Sequence, residues 1–163
     1  MTDDLGTLTV QGDLRSVRDA RVIDATPEEL WDALTTPEPI ARWMLAEEMI
    51  LEPQVGGKSH FSWGEQGSSD GTVTVFDPPR CLEYTWEDDA GTSTVRFEIT
   101  ELESGVELVL FHRDLAPKVA AGVGAGWHAH LEFLEALLRG EDFDFESRFN
   151  ELRPVYGEIA AKL

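Results

Sequence analysis

The chain has 163 residues, with 32 acidic side chains against 13 basic ones and a formal net charge of −19. A field of that sign repels phosphate backbones and anionic headgroups, so nucleic acid and membrane insertion are set aside. The 42% hydrophobic and 9% aromatic content is enough at this length to bury one core, which argues against disorder.

Residues 1–13 are polar and glycine-punctuated and read as a flexible lead-in. They show no basic region followed by an apolar run, and no later stretch approaches membrane-spanning length, so a cytoplasmic protein is expected. A first strand is expected over Leu14 to Asp24. Thr26-Pro27-Glu28-Glu29 then starts a helix: the Thr26 hydroxyl caps it, Pro27 sits where its missing N–H costs nothing, and Glu29 reaches back to the cap. Thr36-Pro37-Glu38-Pro39 starts a second short helix leading to Ile40 and Trp43.

From Met49 to about residue 113 the apolar period is two, which is the signature of strands. Phe61 and Trp63 share one face, as do Leu82, Tyr84 and Trp86, then Val95, Phe97 and Ile99, then Val106, Leu108, Leu110 and His112. In the strand from Thr72 to Phe76, alternation sets Val73 and Val75 against Thr72, Thr74 and Phe76. Gly56-Gly57, Asp77-Pro78-Pro79-Arg80, Asp88-Asp89-Ala90-Gly91 and Glu103-Ser104-Gly105 mark the turns, all short enough to make neighbouring strands antiparallel.

A long helix follows, beginning between Pro117 and Gly126, with Val119, Val123, Trp127, Leu131, Leu134 and Leu138 at helical spacing. Gly122, Gly124 and Gly126 each weaken it by up to about 1 kcal/mol relative to alanine, so fraying or a gate is expected there. Beyond Gly140, the residues Phe145, Phe149, Leu152, Tyr156, Ile159 and Leu163 form one helical stripe, which Pro154 should kink or divide. The fold class is therefore α+β. A curved antiparallel sheet of about six to seven strands wraps a long C-terminal helix, with two short helices after the first strand. The domain runs over 14–139, and residues 140–163 form a helical tail docked on the domain or on a partner.

This order, with Ala25 to Thr35, Ile40-Ala41-Arg42-Trp43, Gly71-Thr72-Val73, Asp77 to Leu82, Tyr84-Thr85-Trp86, Leu110-Phe111-His112 and Gly126-Trp127, resembles the START-like helix-grip superfamily (SRPBCC). Within it the chain is most similar to the branch named after the activator of heat-shock protein 90 ATPase. The resemblance implies a cavity between the sheet and the long helix. It implies no single activity, because the superfamily includes lipid carriers, hormone receptors, aromatic cyclases and chaperone regulators.

The expected ligand-binding set is Phe61, Trp63, Tyr84, Trp86, Phe97, Leu110, His112, Trp127 and Leu131, an apolar surface with a few polar handles. His112 either orients a ligand, serves as an acid or base, or is a structural histidine held by hydrogen bonds near its strand end. His128 and His130, two apart on a helix, lie about 200° apart and cannot share one metal. No metal and no cofactor is expected, and Cys81, the only cysteine, permits no intrachain disulfide. No nucleophile elbow or phosphate loop is present.

Three functions stay open. The first is binding of a small apolar or aromatic molecule. The second is a chaperone-regulating protein–protein module, with a protein partner or homodimer formed through the tail. The third is a cyclase- or dehydratase-like enzyme, for which His112 and Tyr84 form the only nominated pair. The acidic surface reads as a solubilising coat, with attraction to a basic partner or salt adaptation as alternatives.

Overall fold

The structure is a computed structural model that describes residues 5–163. Among the described residues, eight strands form one antiparallel sheet in the order β1-β2-β8-β7-β6-β5-β4-β3. They are β1 Thr7–Gln11, β2 Leu14–Ile23, β3 Glu48–Leu51, β4 Lys58–Ser62, β5 Ser68–Asp77, β6 Cys81–Asp88, β7 Gly91–Glu101 and β8 Val106–Leu115. Helices α1 Pro27–Thr35 and α2 Pro37–Trp43 follow β2, and α3 Pro117–Leu138 and α4 Phe145–Ala161 close the chain. This is the expected helix-grip class, with one strand more than the sequence suggests.

The extra strand lies in the segment read as a flexible lead-in. Thr7–Gln11 pairs with β2 in the register Thr7 to Arg18 through Gln11 to Leu14. Only Leu8 of this strand is buried, so a single apolar anchor gives no alternation to detect. Residues 1–4 of that reading lie outside the described residues.

The capping signals form as written. The Glu29 N–H donates to Thr26 Oγ1 at 3.1 Å and the Thr26 N–H donates to Glu29 Oε1 at 3.2 Å. The second helix turns back on the first through the Trp43 indole, whose N–H donates to the Ala33 carbonyl at 2.9 Å. Leu30, Leu34, Ile40 and Trp43 are thereby buried against the sheet.

One strand departs from strict alternation. Between Val73 and Val75 the register of β5 against β6 shifts, so that Val73 faces Tyr84 and Val75 faces Glu83. This bulge inserts one residue and reverses the faces beyond it. Phe76, not Val75, therefore joins Val73 on the core side, where its ring meets Trp31 edge-on at 5.3 Å.

The long helix begins at Pro117 and runs unbroken through its three glycines. The tail is likewise one helix, capped by the Asp144 carboxylate on the Ser147 N–H at 3.1 Å. Pro154 does not divide it. Pro154 and Asn150, whose carbonyl the proline cannot satisfy, both lie on the exposed side, where the carbonyl is open to a donor from solvent.

Two cores result. The larger joins α1, α2 and the leucine-rich second half of α3 to the concave face of the sheet. The smaller comprises Leu8, Val17, Leu115, Ala125, Ala129, Leu152 and Tyr156, where α4 lies across α3 and β1. A buried polar seam runs beside the second core. Asp19, 1% exposed, accepts from Arg21 Nε at 3.0 Å. The Tyr156 hydroxyl accepts the Gly6 N–H at 2.7 Å and is hydrogen-bonded to His128 Nδ1 at 2.8 Å.

Candidate functional site

At the end of the sheet away from the leucine-rich core, the β6–β7 hairpin, the end of β8 and the first half of α3 enclose a cavity of about 480 Å³. Its walls are Trp63, Trp86, Trp127, Val119, Val123 and Met44, and its mouth carries Asp88, Asp114 and Lys118. The helix contributes Gly122 and Gly126, where an added Cβ would meet no atom within 4 Å. The cavity is therefore open partly because two residues of the helix have no side chain.

The tryptophans are fixed at both ends. Trp63 donates its indole N–H to the Met44 carbonyl at 2.9 Å, and Trp86 donates to Asp88 Oδ2 at 3.0 Å. Their rings pack on Phe61, at 6.0 and 5.5 Å between centroids. Trp127 meets Trp86 at 6.2 Å and Phe97 at 5.9 Å, both edge-on. Such contacts hold large apolar faces in place while satisfying each polar N–H.

His112 is the polar centre of the wall. Trp127 Nε1–H donates to His112 Nδ1 at 2.9 Å, and His112 Nε2 lies 2.7 Å from Ser93 Oγ. An indole N–H can only donate, so Nδ1 is the unprotonated nitrogen and Nε2 carries the proton. Nε2–H therefore donates to Ser93, whose hydroxyl continues the chain to the Trp86 carbonyl at 3.3 Å. Burial lowers the His112 pKa to about 3, so the ring is neutral at neutral pH.

This polarity decides what the Ser93–His112 pair can do. A serine is activated only when the nitrogen facing it is free to take the hydroxyl proton. Here that nitrogen already holds a proton, and the ring is a very weak base. Of the alternatives for His112, the geometry supports a structural histidine held by hydrogen bonds near its strand end. Tyr84 is no closer to catalysis. It faces Val95, which in turn faces His112. The two side chains are thus two strand spacings apart, about 10 Å, and burial raises the Tyr84 pKa.

Of the nine expected ligand-binding residues, Trp63, Trp86, His112 and Trp127 line the cavity. Phe61, Tyr84, Phe97, Leu110 and Leu131 do not, being at most 3% exposed in the main core. They share the concave face but lie behind or beyond the cavity wall. Alternation identifies a face and says nothing about which part of it is covered.

The cavity lining also includes residues outside the expected set, among them His130, Gly122 and Gly126. The glycines were visible as a repeat that weakens a helix, and the space they leave is their structural consequence. His130 points away from His128, as expected. Its Nδ1 donates to the Trp43 carbonyl at 2.8 Å, whereas His128 bonds Tyr156 under α4. Burial holds the His130 pKa at about 4 despite that carbonyl, which raises it. At the cavity mouth, Asp114 adopts the left-handed region at φ 67°, and the neighbouring Arg113 turns to the opposite side to pair with Glu83 at 3.3 Å. No helix among the described residues is long and apolar enough to cross a membrane.

Residues 24–139 match the family described as activator of Hsp90 ATPase homolog 1-like protein. The chain belongs to that family. The match begins just before α1 and ends just after α3, so it includes every cavity wall except Phe149, whereas β1, β2 and α4 lie outside it. Solved structures extend the likeness to those elements. CalU16 from Micromonospora echinospora is 25% identical with a TM-score of 0.77, over 96% of this chain and 94% of that one. Protein MLL2253 from Mesorhizobium loti is 32% identical with a TM-score of 0.70, over 79% of this chain and all of that one (100%). Protein BPP1335 from Bordetella parapertussis is 26% identical with a TM-score of 0.72, over 94% and 90% of the two chains. No curated protein matches the sequence. For this activator-like family member, the helix-grip fold supports a ligand-binding or cyclase-like module in general.

Proposed function

We propose that the protein binds a small apolar or aromatic molecule in the cavity between the β6–β7 hairpin and the first half of α3. The observation that carries this reading is the open space over Gly122 and Gly126, faced by three anchored tryptophans. A cavity of about 480 Å³ falls in the usual range for small-molecule sites, and an apolar lining with few polar groups is their usual composition. Burying ligand surface there drives binding at about 25 cal/mol per Å². His112 acts by holding Trp127 in position.

A thermal-shift screen against small lipophilic and aromatic compounds tests the reading. A ligand at one hundred times its dissociation constant adds about 2.7 kcal/mol, which raises the midpoint of a domain this size by several degrees. A shift confined to one chemical class supports the proposal. No shift from any compound across a broad panel counts against it.

The family description favours a second reading, a chaperone-regulating contact. It predicts a change in a chaperone's ATPase rate on adding the protein, with the surface rather than the cavity sensitive to substitution.

A further inference from the structure

We infer that the cavity selects molecules that present a hydrogen-bond donor, a phenolic hydroxyl on an aromatic body being the simplest case, and that His130 Nε2 is the acceptor. The inference rests on the cavity reading above and adds to it the polarity of the ligand.

The argument begins with the tautomer. A carbonyl oxygen only accepts, so the 2.8 Å contact between His130 Nδ1 and the Trp43 carbonyl puts the proton on Nδ1. Nε2 is left with a lone pair, and among the described residues no hydrogen bond to it is found. Yet no side-chain nitrogen or oxygen among them is both buried and unpartnered. Nε2 therefore reaches open space. His130 borders two such spaces, the cavity and the adjoining shallow hollow with Met44, Trp63 and Phe145. Its ring packs on Phe145 at 4.4 Å, tilted by 33°, and lies edge-on to Trp127 at 6.1 Å. The acceptor is thus fixed in position before a ligand arrives, which limits the ordering cost of binding.

The other polar groups of the lining are already engaged. His112 bonds Trp127 and Ser93. The two oxygens of Asp88 take the Trp86 indole and the Ala90 N–H. The Ser93 hydroxyl lies between His112 and the Trp86 carbonyl. That leaves an acceptor on the wall, with Lys118 and Asp114 at the mouth. A chain of net charge −19 also disfavours an anionic guest. A neutral molecule with a donor fits these conditions, and one with only acceptors leaves Nε2 unpaired against it.

Isothermal titration calorimetry with 2-naphthol and 2-methoxynaphthalene tests the inference, since methylation removes the donor and preserves the ring system. The wild type should bind 2-naphthol about fivefold to tenfold more tightly. In His130→Phe, which keeps a flat ring against Phe145, both probes should bind equally, at the level of the methyl ether. His130→Gln, which retains an acceptor, serves as the second variant should His130→Phe fail to fold, and it should restore part of the preference. Equal binding of the two probes by wild type overturns the donor inference and leaves the cavity reading intact. A preference that survives in His130→Phe overturns the assignment to His130. Binding of neither probe counts against the cavity reading, and the inference falls with it.

Discussion

The two sides of α3 use the same residue type for opposite ends. On the side facing α4, a Cβ added at Gly124 would come within 2.8 Å of the Tyr156 ring and 3.1 Å of Leu8. Glycine there lets a second helix approach closely. On the side facing the sheet, Gly122 and Gly126 meet nothing, and the space persists as a cavity. One face is closed by its neighbours and the other is left open, so a missing side chain acquires its meaning only from what lies opposite. The polar groups follow the same division. The closed side seals its seam with the Gly6–Tyr156–His128 hydrogen bonds, and the open side keeps the His130 acceptor.

The largest test of this contrast is deletion of the closing aromatic. Tyr156→Ala removes a side chain that is 0% exposed and strips the Gly6 N–H of its acceptor. It should cost about 3–5 kcal/mol in denaturant unfolding. A cost below about 1 kcal/mol would mean that α4 is only loosely placed.

Overpacking the same contact comes next. Gly124→Val should destabilise by about 1–3 kcal/mol, because its methyls meet the Tyr156 ring. Chemical denaturation of both variants reads the effect, and a stabilised Gly124→Val would break the comparison at its closed side.

Acid should separate the buried histidines from the rest. The His112 pKa is lowered in the folded chain to about 3, against about 6.5 unfolded. Between these values the unfolded chain binds a proton that the folded one refuses, so stability falls as the pH drops. The contribution is complete above about pH 6.5, and its loss reaches on the order of 2 kcal/mol at pH 5. His112→Asn should show a shallower decline in midpoint over this window. An identical decline would mean that the histidine is not held neutral.

The smallest effect has the opposite sign. Gly122→Ala and Gly126→Ala should each stabilise the helix by up to about 1 kcal/mol, since alanine lowers the entropy cost and strikes nothing. Loss of stability in either would show that the open side is more crowded than its geometry indicates.

Much of the fold was legible in the residues. Thr26 and Glu29 announced the capping box, the period of two fixed the strand faces, and short turns fixed their order. Three features escaped for definable reasons. Strand β1 buries only Leu8, too little to set a pattern. The β5 bulge reversed Val75 and Phe76, because alternation has no way to register an inserted residue. The cavity itself depends on depth along a face. Phe61, Tyr84 and Phe97 alternate in phase with Trp86 and differ from it only in what covers them. His130 was weighed as a metal ligand beside His128, and its value emerged only from the Trp43 carbonyl that fixes its tautomer.

The central claim is that the space over Gly122 and Gly126 is the binding site. The most direct measurement compares the wild type with Gly126→Leu, taking the compound giving the largest thermal shift on the wild type. Gly126→Leu should fold with a midpoint at or above that of the wild type, because leucine fills open space in a helix. It should then show no shift with the compound, whereas the wild type gains several degrees. An equal shift in both proteins would contradict the account and move the binding site elsewhere.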